Sequence, residues 1–236
     1  MIAIIQARID STRFPRKVLK KIAKKSLIEI VYKRLKKLKK IKKVVVCIPD
    51  DKQNLILEKK LKYLKIPFFK GSNADVLKRY YDTAKKYTAK NIIRITSDCP
   101  LVDIGIVDKM MKIFFSRKAD YISNNNPRTF PHGLDVEIFN MFALKEAFFK
   151  STSKRDREHV TYYITRNKKK FKICNYENKI NLSKFRVTVD YQEDLQVIRN
   201  IFKYFKPNIY FNFSDVKKLI QIKPKIFNKN AHLRKK

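Results

Sequence analysis

The sequence predicts an α/β fold, a doubly wound and mostly parallel sheet with a small inserted β-rich subregion. Three observations lead there. Short apolar runs at residues 2–5, 44–48 and 91–96 have the length and composition of strands buried on both faces. Segments with helical apolar spacing separate them, which asks for right-handed crossovers between parallel strands. After Ala119 the rhythm breaks into shorter strand-like pieces around a loop rich in Asn and Pro.

Taken in order, residues 2–5 form the first strand, and the polar stretch from Gln6 to Lys17 is a loop at its carboxyl end. Ser26 is placed to cap a helix that carries Leu27, Ile30, Val31, Leu35 and Leu38 on one face and lysines on the other. Residues 44–48 make a second strand, stopped by Pro49-Asp50-Asp51. A helix over 55–64 and a short strand over 67–70 follow. Gly71-Ser72-Asn73 then turns the chain into a helix over about 74–87. The strand at 91–96 ends at Ser97-Asp98-Cys99-Pro100, and 102–115 is helical. Beyond it, 121–122 reads as a strand, 123–133 as a loop, and 134–139 alternates like a half-buried strand. Helices are expected at 141–150, 156–167, 193–205 and 215–222, and strands at 171–176 and 185–190. The basic residues from 223 to 236 lack a pattern and are expected to fray. There is no internal repeat. The expectation is one domain over residues 1–222, with an insert at about 119–182 and a basic tail at 223–236.

The chain has 236 residues, 44% of them hydrophobic, enough for a substantial core. No run of about 20 apolar residues is present, so no membrane insertion is expected. The chain opens directly into a strand rather than a secretory leader. Cys47, Cys99 and Cys174 are far apart and odd in number, which argues against disulfides and for a reducing, cytoplasmic setting. The formal net charge of +36 raises the question of nucleic acid. Yet the lysines are spread along the whole chain, no aromatic interleaving accompanies them, and Gly numbers 3 and Trp 0. Abundant Lys, Ile, Asn, Phe and Tyr instead point to AT-rich coding, so nucleic acid is disfavoured as a partner. The charge still favours anionic substrates.

Chemistry concentrates at strand ends. After the first strand come Ala7, Arg8, Asp10, Ser11, Thr12, Arg13, Arg16 and Lys17. In open α/β sheets ligands bind outside the carboxyl ends of the strands. Arg8, Arg13 and Lys17 can neutralise phosphate, and Ser11, Thr12 and backbone N–H groups can donate to it. A solvated basic turn is the plain alternative. Asp98 follows a buried strand and precedes Pro100; it suits a Mg²⁺ ligand beside a triphosphate, or an ordinary turn or helix cap. Asp190 also ends a strand-like run, Val187-Thr188-Val189, just before a helix, where a cap is the plain reading.

The stretch Ala7-Arg8-Ile9-Asp10-Ser11-Thr12-Arg13-Phe14-Pro15-Arg16-Lys17-Val18-Leu19 resembles the signature loop of the CMP-sugar synthetases, the cytidylyltransferases acting on Kdo and sialic-type acids. With Ile4-Ile5-Gln6 before it, it most resembles the SpsF-like branch of spore-coat polysaccharide biosynthesis. One departure is Arg16, where the family usually has Gly, the residue that reaches positive φ without steric cost. The resemblance spans about residues 2–201. It implies a Rossmann-like sheet of the nucleotide-diphospho-sugar transferase type and a loop that wraps the triphosphate of CTP.

On the same resemblance Arg8, Lys17, Asp98 and Asp190 would be catalytic. Asp98-Cys99-Pro100-Leu101 matches an Asp-x-Pro-Leu element that supplies one metal ligand, and Asp190 with Glu193-Asp194-Leu195 matches the element that supplies the second. Mg²⁺ is the implied cofactor. Pro49 and Asp50 lie where the family recognises base and ribose, and Ser97, Asp75 and Arg79 would line the nucleotide pocket. Asp75 and Arg79 can equally be a helix acid and an i,i+4 ion pair. The run 124–137 resembles a Pro-x-Gly-Leu-Asp-Val-Glu element, placing Arg128, His132, Asp135 and Glu137 at the sugar. Alternating Asp135 and Glu137 also fit a solvated strand edge. Glu158 and His159, in Arg157-Glu158-His159-Val160, would orient substrate or pack a helix. His232 is assigned no role. The implied activity joins CTP and a sugar, acidic in the best-known members, into a CMP-sugar with release of pyrophosphate, in an enzyme that forms a homodimer. A glycosyltransferase on the same fold and a non-catalytic nucleic-acid binder are the alternatives.

Overall fold

The apolar runs at 2–5, 44–48 and 91–96 build the centre of the main sheet, because only a central position buries both of their faces. A computed structural model describes residues 1–235. β1 (Ile2–Gln6) leads into the basic loop, then a small antiparallel hairpin, β2 (Lys21–Ile22) and β3 (Lys25–Ser26), and helix α1 (Leu27–Leu35). β4 (Lys43–Pro49) pairs in parallel with one edge of β1. After α2 (Leu55–Tyr63), β5 (Phe68–Gly71) adds in parallel to β4. After α3 (Val76–Lys86), β6 (Asn91–Thr96) takes the other edge of β1, again in parallel. Helix α4 (Ile104–Ser116) follows.

The second half extends the same sheet through a single reversed strand, Glu137–Asn140, beyond which the original direction resumes. β7 (Tyr121–Ser123) and β8 (Glu137–Asn140) pair antiparallel, and β8 also pairs antiparallel with β6. Helices α5 (Met141–Lys150), α6 (Lys154–His159) and α7 (Tyr162–Arg166) come next, then β9 (Ile173–Asn175), parallel to β7. The strand order is β5-β4-β1-β6-β8-β7-β9. Segment 119–182 therefore continues the main sheet, and it contributes three helices as well as three strands. Helices α8 (Gln192–Tyr204) and α9 (Phe213–Ile222) complete the framework.

Strand alternation divides the core between the two faces. Ala3, Ile5, Val46, Ile48, Ile93 and Ile95 pack with α1, α4 and α8. Ile2, Ile4, Cys47 and Ile92 pack with α3 and α5.

Several expectations from the sequence need correction. Ser26 stands at the N-terminus of α1, but its hydroxyl makes no capping bond. Leu38 is buried in the turn after α1, not on the helix itself. The 134–139 strand begins only at Glu137. The helix expected over 156–167 is broken at Val160, whose φ of 51° allows its side chain to be buried and the next hydroxyl, on Thr161, to reach Glu137 at 2.6 Å. Residues 185–190 are strand-like in sequence but pair with loops: Val187 N–H donates to His132 O at 2.7 Å and Val189 N–H to Asp98 O at 2.9 Å. The tail does not fray. Short 3₁₀ turns at Pro224–Phe227 and Ala231–Lys235 bury Phe227, Asn230 and Leu233. Lys236 lies outside the described residues.

The pairing of the 131–134 loop with 187–188 depends on Gly133. Its φ is +107°, and a Cβ there would lie 2.3 Å from the Thr188 backbone nitrogen. Gly133→Ala should therefore destabilise the fold by about 3 kcal/mol or more, from overpacking and backbone strain together. Thermal denaturation should show a fall of roughly 6–12 °C; an unchanged midpoint would contradict this packing.

Candidate active site

The site begins where β1 ends. Ala7 N–H still reaches Cys47 O at 3.1 Å, and the chain then leaves the sheet. Asn54, fully buried, accepts from Ile9 N–H at 3.0 Å and is itself held by Asp51. Arg16 N–H returns to Ile9 O at 3.0 Å, closing the loop. Arg16 has φ 56° and ψ 24°, so the left-handed backbone that glycine adopts freely is kept here by an arginine. The turn carries Lys17 inward, while Arg8, Thr12, Arg13 and Arg16 stay exposed and Ser11 is half-buried.

Lys17 ties the ends of three segments together. Its Nζ donates to Asp98 Oδ2 at 2.8 Å and to Asp190 Oδ1 at 2.7 Å. Asp98 comes from the turn after β6, and Asp190 from the segment that runs beside that turn. Burial alone would lower the Lys17 pKa, but the two carboxylates outweigh it and raise it. Burial alone would raise Asp98, and Lys17 instead holds it below the usual carboxylate range. Arg13 Nη2 adds a contact to Asp190 Oδ1 at 3.3 Å from an exposed position.

Behind Asp190 lie two further buried charges, Arg186 and Asp194. Arg186 Nη2 donates to Asp190 Oδ2 at 2.9 Å, and its Nε donates to Asp194 Oδ1 at 2.9 Å. Asp194 Oδ2 accepts from the backbone N–H of Asp190 and Tyr191 at 2.9 and 3.1 Å. The helix start is thus served by Asp194, which leaves Asp190 free of a capping role. Arg186 Nη1 meets His132 Nδ1 at 3.0 Å. Arginine only donates, so Nδ1 is the acceptor and neutral His132 carries its proton on Nε2. Burial lowers the His132 pKa; Asp135 opposes the shift, and Arg128 and Arg186 reinforce it. His132 Nε2 lies 3.7 Å from Asp135 Oδ2, and Asp135 is clasped by Arg128.

The structure therefore brings together Lys17, Asp98, Asp190 and Arg13 on one side, and Arg128, His132 and Asp135 on the other, joined through Arg186. Ser97 is buried at the end of β6, its N–H on Gln6 O at 2.9 Å. Other expected residues are engaged elsewhere. Glu137 is buried in the sheet, held by Arg94, by Tyr121 Oη at 2.6 Å and by Thr161 Oγ1 at 2.6 Å. It does not share an exposed face with Asp135, because β8 starts at Glu137 and Asp135 precedes it in the loop. Asp75 caps α3 through Lys78 N–H at 2.8 Å and pairs with Arg157 at 3.2 Å. The alternative Asp75–Arg79 pair is absent: Arg79 is buried against Gly71 and donates to Ser72 O at 3.0 Å. Pro49 is buried at the end of β4, and exposed Asp50 pairs with Lys70 at 2.8 Å. Glu158 and His159 are exposed on α6, and among the described residues no hydrogen bond or ion pair links their side chains to the cluster.

Sequence reasoning missed Asn54, Arg186, Asp194 and Asn230 as parts of this frame. Arg186 had a signal, a charge inside an apolar strand-like run; Asn230, in an unpatterned tail, had none.

The sequence profile of the cytidylyltransferase family matches residues 2–233. The chain belongs to the cytidylyltransferase family. It is similar to an uncharacterized protein of Methanocaldococcus jannaschii, 34% identical over all of this chain and 96% of the relative. It is also similar to the spore coat polysaccharide biosynthesis protein SpsF of Bacillus subtilis, 28% identical over 85% of each chain. The solved structure of a cytidylyltransferase from Leptospira borgpetersenii superposes with a TM-score of 0.91 at 32% identity, covering 96% of each chain. This chain is thus a nucleotidyltransferase by family, with the expected α/β architecture. Among its described residues no helix is long and apolar enough to cross a membrane.

The ion-pair geometry sets the pH response of this cytidylyltransferase. Asp98 is depressed, so its pairing stabilises above about pH 3.9 and is lost as pH falls through the lower folded value. Lys17 is raised, so its share is present below about pH 10.4 and is lost as pH rises through the higher folded value. Lys17→Met should destabilise by about 3 kcal/mol, since it strips a buried pair of one partner. Chemical denaturation should find this difference flat from about pH 5 to 9 and shrinking below about pH 4. A difference that grows toward low pH would contradict the assignment.

Proposed function

We propose that this cytidylyltransferase activates a sugar as its CMP derivative, with CTP as donor and pyrophosphate as the other product. The observation that carries the reading is the convergence of Asp98 and Asp190 on Lys17, at the foot of a loop whose exposed cations face solvent.

In this reading the triphosphate lies along residues 7–17. Arg8, Arg13 and Arg16 neutralise its charge, and Ser11, Thr12 and backbone N–H groups donate to its oxygens. Asp98 and Asp190 are the residues that would hold Mg²⁺. The donor set fits: both are hard carboxylate oxygens, and the Cys99 thiol stands 3.6 Å from Asp98 Oδ1. When bound, the ion neutralises phosphate charge and polarises the phosphoryl group. Lys17, already shared by both carboxylates, contributes a fixed positive charge beside it.

The acceptor lies toward Arg128, His132 and Asp135. With Nδ1 taken by Arg186, His132 has only its Nε2 proton to offer, so it orients the sugar as a donor and does not act as a base. The anomeric oxygen of a carboxy-sugar, or another sugar hydroxyl, attacks the α-phosphorus. The bond from that phosphorus to the oxygen bridging to the β-phosphate breaks, pyrophosphate leaves, and the hydroxyl proton passes to water. No covalent enzyme intermediate is required; positioning and charge account for the acceleration. The product feeds surface polysaccharide or glycan synthesis in the cytoplasm. Segment 119–182 carries the acceptor contacts and, in a homodimer, the subunit contact.

Pyrophosphate release is to be measured from each of the four nucleoside triphosphates, with Mg²⁺ and a panel of acidic and neutral sugars. Release with CTP and one sugar class is expected, reduced about 10³-fold or more in Asp98→Asn. Absence of CTP binding by calorimetry would overturn the reading.

A further inference from the structure

Asn230, near the C-terminus, joins the same network, which the composition of the tail did not announce. We propose that Asn230, in the C-terminal segment, is part of the catalytic frame: acting through Asp194 and Arg186, it fixes the orientation of Asp190 and His132. Asn230 and Arg186 are thus positioning residues. The inference rests on the proposed role of Asp190 at the reaction centre.

The chain of contacts is continuous. Asn230 is fully buried, and its Nδ2 donates to Asp194 Oδ1 at 2.8 Å and to Arg186 O at 3.1 Å. It thereby touches both the side chain that Arg186 grips and the backbone that carries Arg186. Asp194, with no exposed surface, receives Arg186 Nε on one oxygen and Nη2 on the other, at 2.9 and 3.1 Å. That bidentate pairing fixes the plane of the guanidinium. Once the plane is fixed, Nη2 is aimed at Asp190 Oδ2 and Nη1 at His132 Nδ1. One rigid group thus sets the angle between the carboxylate beside Lys17 and the imidazole beside Asp135.

Charge explains why the frame needs a neutral donor at its far end. Asp98, Asp190 and Asp194 face Lys17 and Arg186, which leaves one excess negative charge within the buried cluster. Besides exposed Arg13, which meets Asp190 from the mouth, a further buried cation at Asp194 would cancel that excess. An amide bonds Asp194 without adding charge, and its Oδ1, buried and without a hydrogen-bond partner among the described residues, leaves the two N–H donors as the part of the side chain in use. Phe227 and Leu233 anchor the segment on either side, and the Phe227 ring meets Phe185, next to Arg186, edge-on at 5.6 Å.

The test compares wild type with Asn230→Ala, with Asn230→Asp, which keeps the shape but replaces the donors by a carboxylate, and with Lys229→Ala, an exposed neighbour, as control. Folding is checked by thermal melts. Amine acetylation followed by mass spectrometry reports how well Lys17 is protected by its two carboxylates, and it needs no catalysis. Steady-state kinetics separates kcat from KM for CTP. Both Asn230 variants should raise the Lys17 modification rate about tenfold while other lysines stay unchanged. They should lower kcat about 10–100-fold with KM within about threefold, as loss of an outer-shell orienting contact does. Lys229→Ala should match wild type. Folded Asn230 variants with wild-type Lys17 protection and kcat would overturn the proposal, and so would a uniform rise at all lysines. Should both Asn230 variants fail to fold, Arg186→Lys, which keeps the charge but loses the fork, is read against the same outcomes. Should no triphosphate support pyrophosphate release in wild type, the functional reading fails, and Lys17 protection alone decides the frame.

Discussion

An ammonium removed from water must be paired, and Lys17 is paired twice. To place two carboxylates within reach of one Nζ, the chain must bring the end of β6 and the segment before α8 to the loop after β1. Those three points are far apart in sequence. The parallel order β4-β1-β6 sets the loop after β1 beside the end of β6, and the backbone bond from Val189 to Asp98 brings in the segment before α8. The fold is, in this sense, a device for closing the distance between a lysine and two aspartates.

The same constraint explains where ordering is spent. The loop is exposed and cationic, yet it is tied at Ile9 by buried Asn54 and turned inward by a left-handed arginine. Gly133 permits the 131–134 loop to lie directly on 187–188, which places His132 beside Arg186. Exposed cations at the mouth and buried anions at the base are the arrangement that attracts a polyanion to the site.

Much of this was legible in the sequence. Apolar runs with two-sided burial located β1, β4 and β6, since nothing else in the chain competes for those positions. Asp98 and Asp190 were visible as carboxylates at the ends of such runs. The failures have physical causes. Glu137 alternates with Asp135 in sequence, but tertiary pairing with Arg94 drew it into the sheet. Asp75 and Arg79 sit at ion-pair spacing, but a cap and a partner on α6 claimed the aspartate. The helix over 156–167 broke because a buried hydroxyl bond to Glu137 outweighed local helical preference. The tail carries few apolar residues and no period, so only the folded surroundings of Phe227 and Asn230 reveal that it is packed.

The central claim is that Asp98 and Asp190 act as one unit around Lys17. A double-mutant cycle tests it most directly: kcat/KM for pyrophosphate release in Asp98→Asn, Asp190→Asn and the double variant. Residues that act as a unit are strongly non-additive, so the double variant should be no more than about tenfold worse than the poorer single variant. Losses that multiply in full would contradict the account, because they would mean that the two carboxylates work independently.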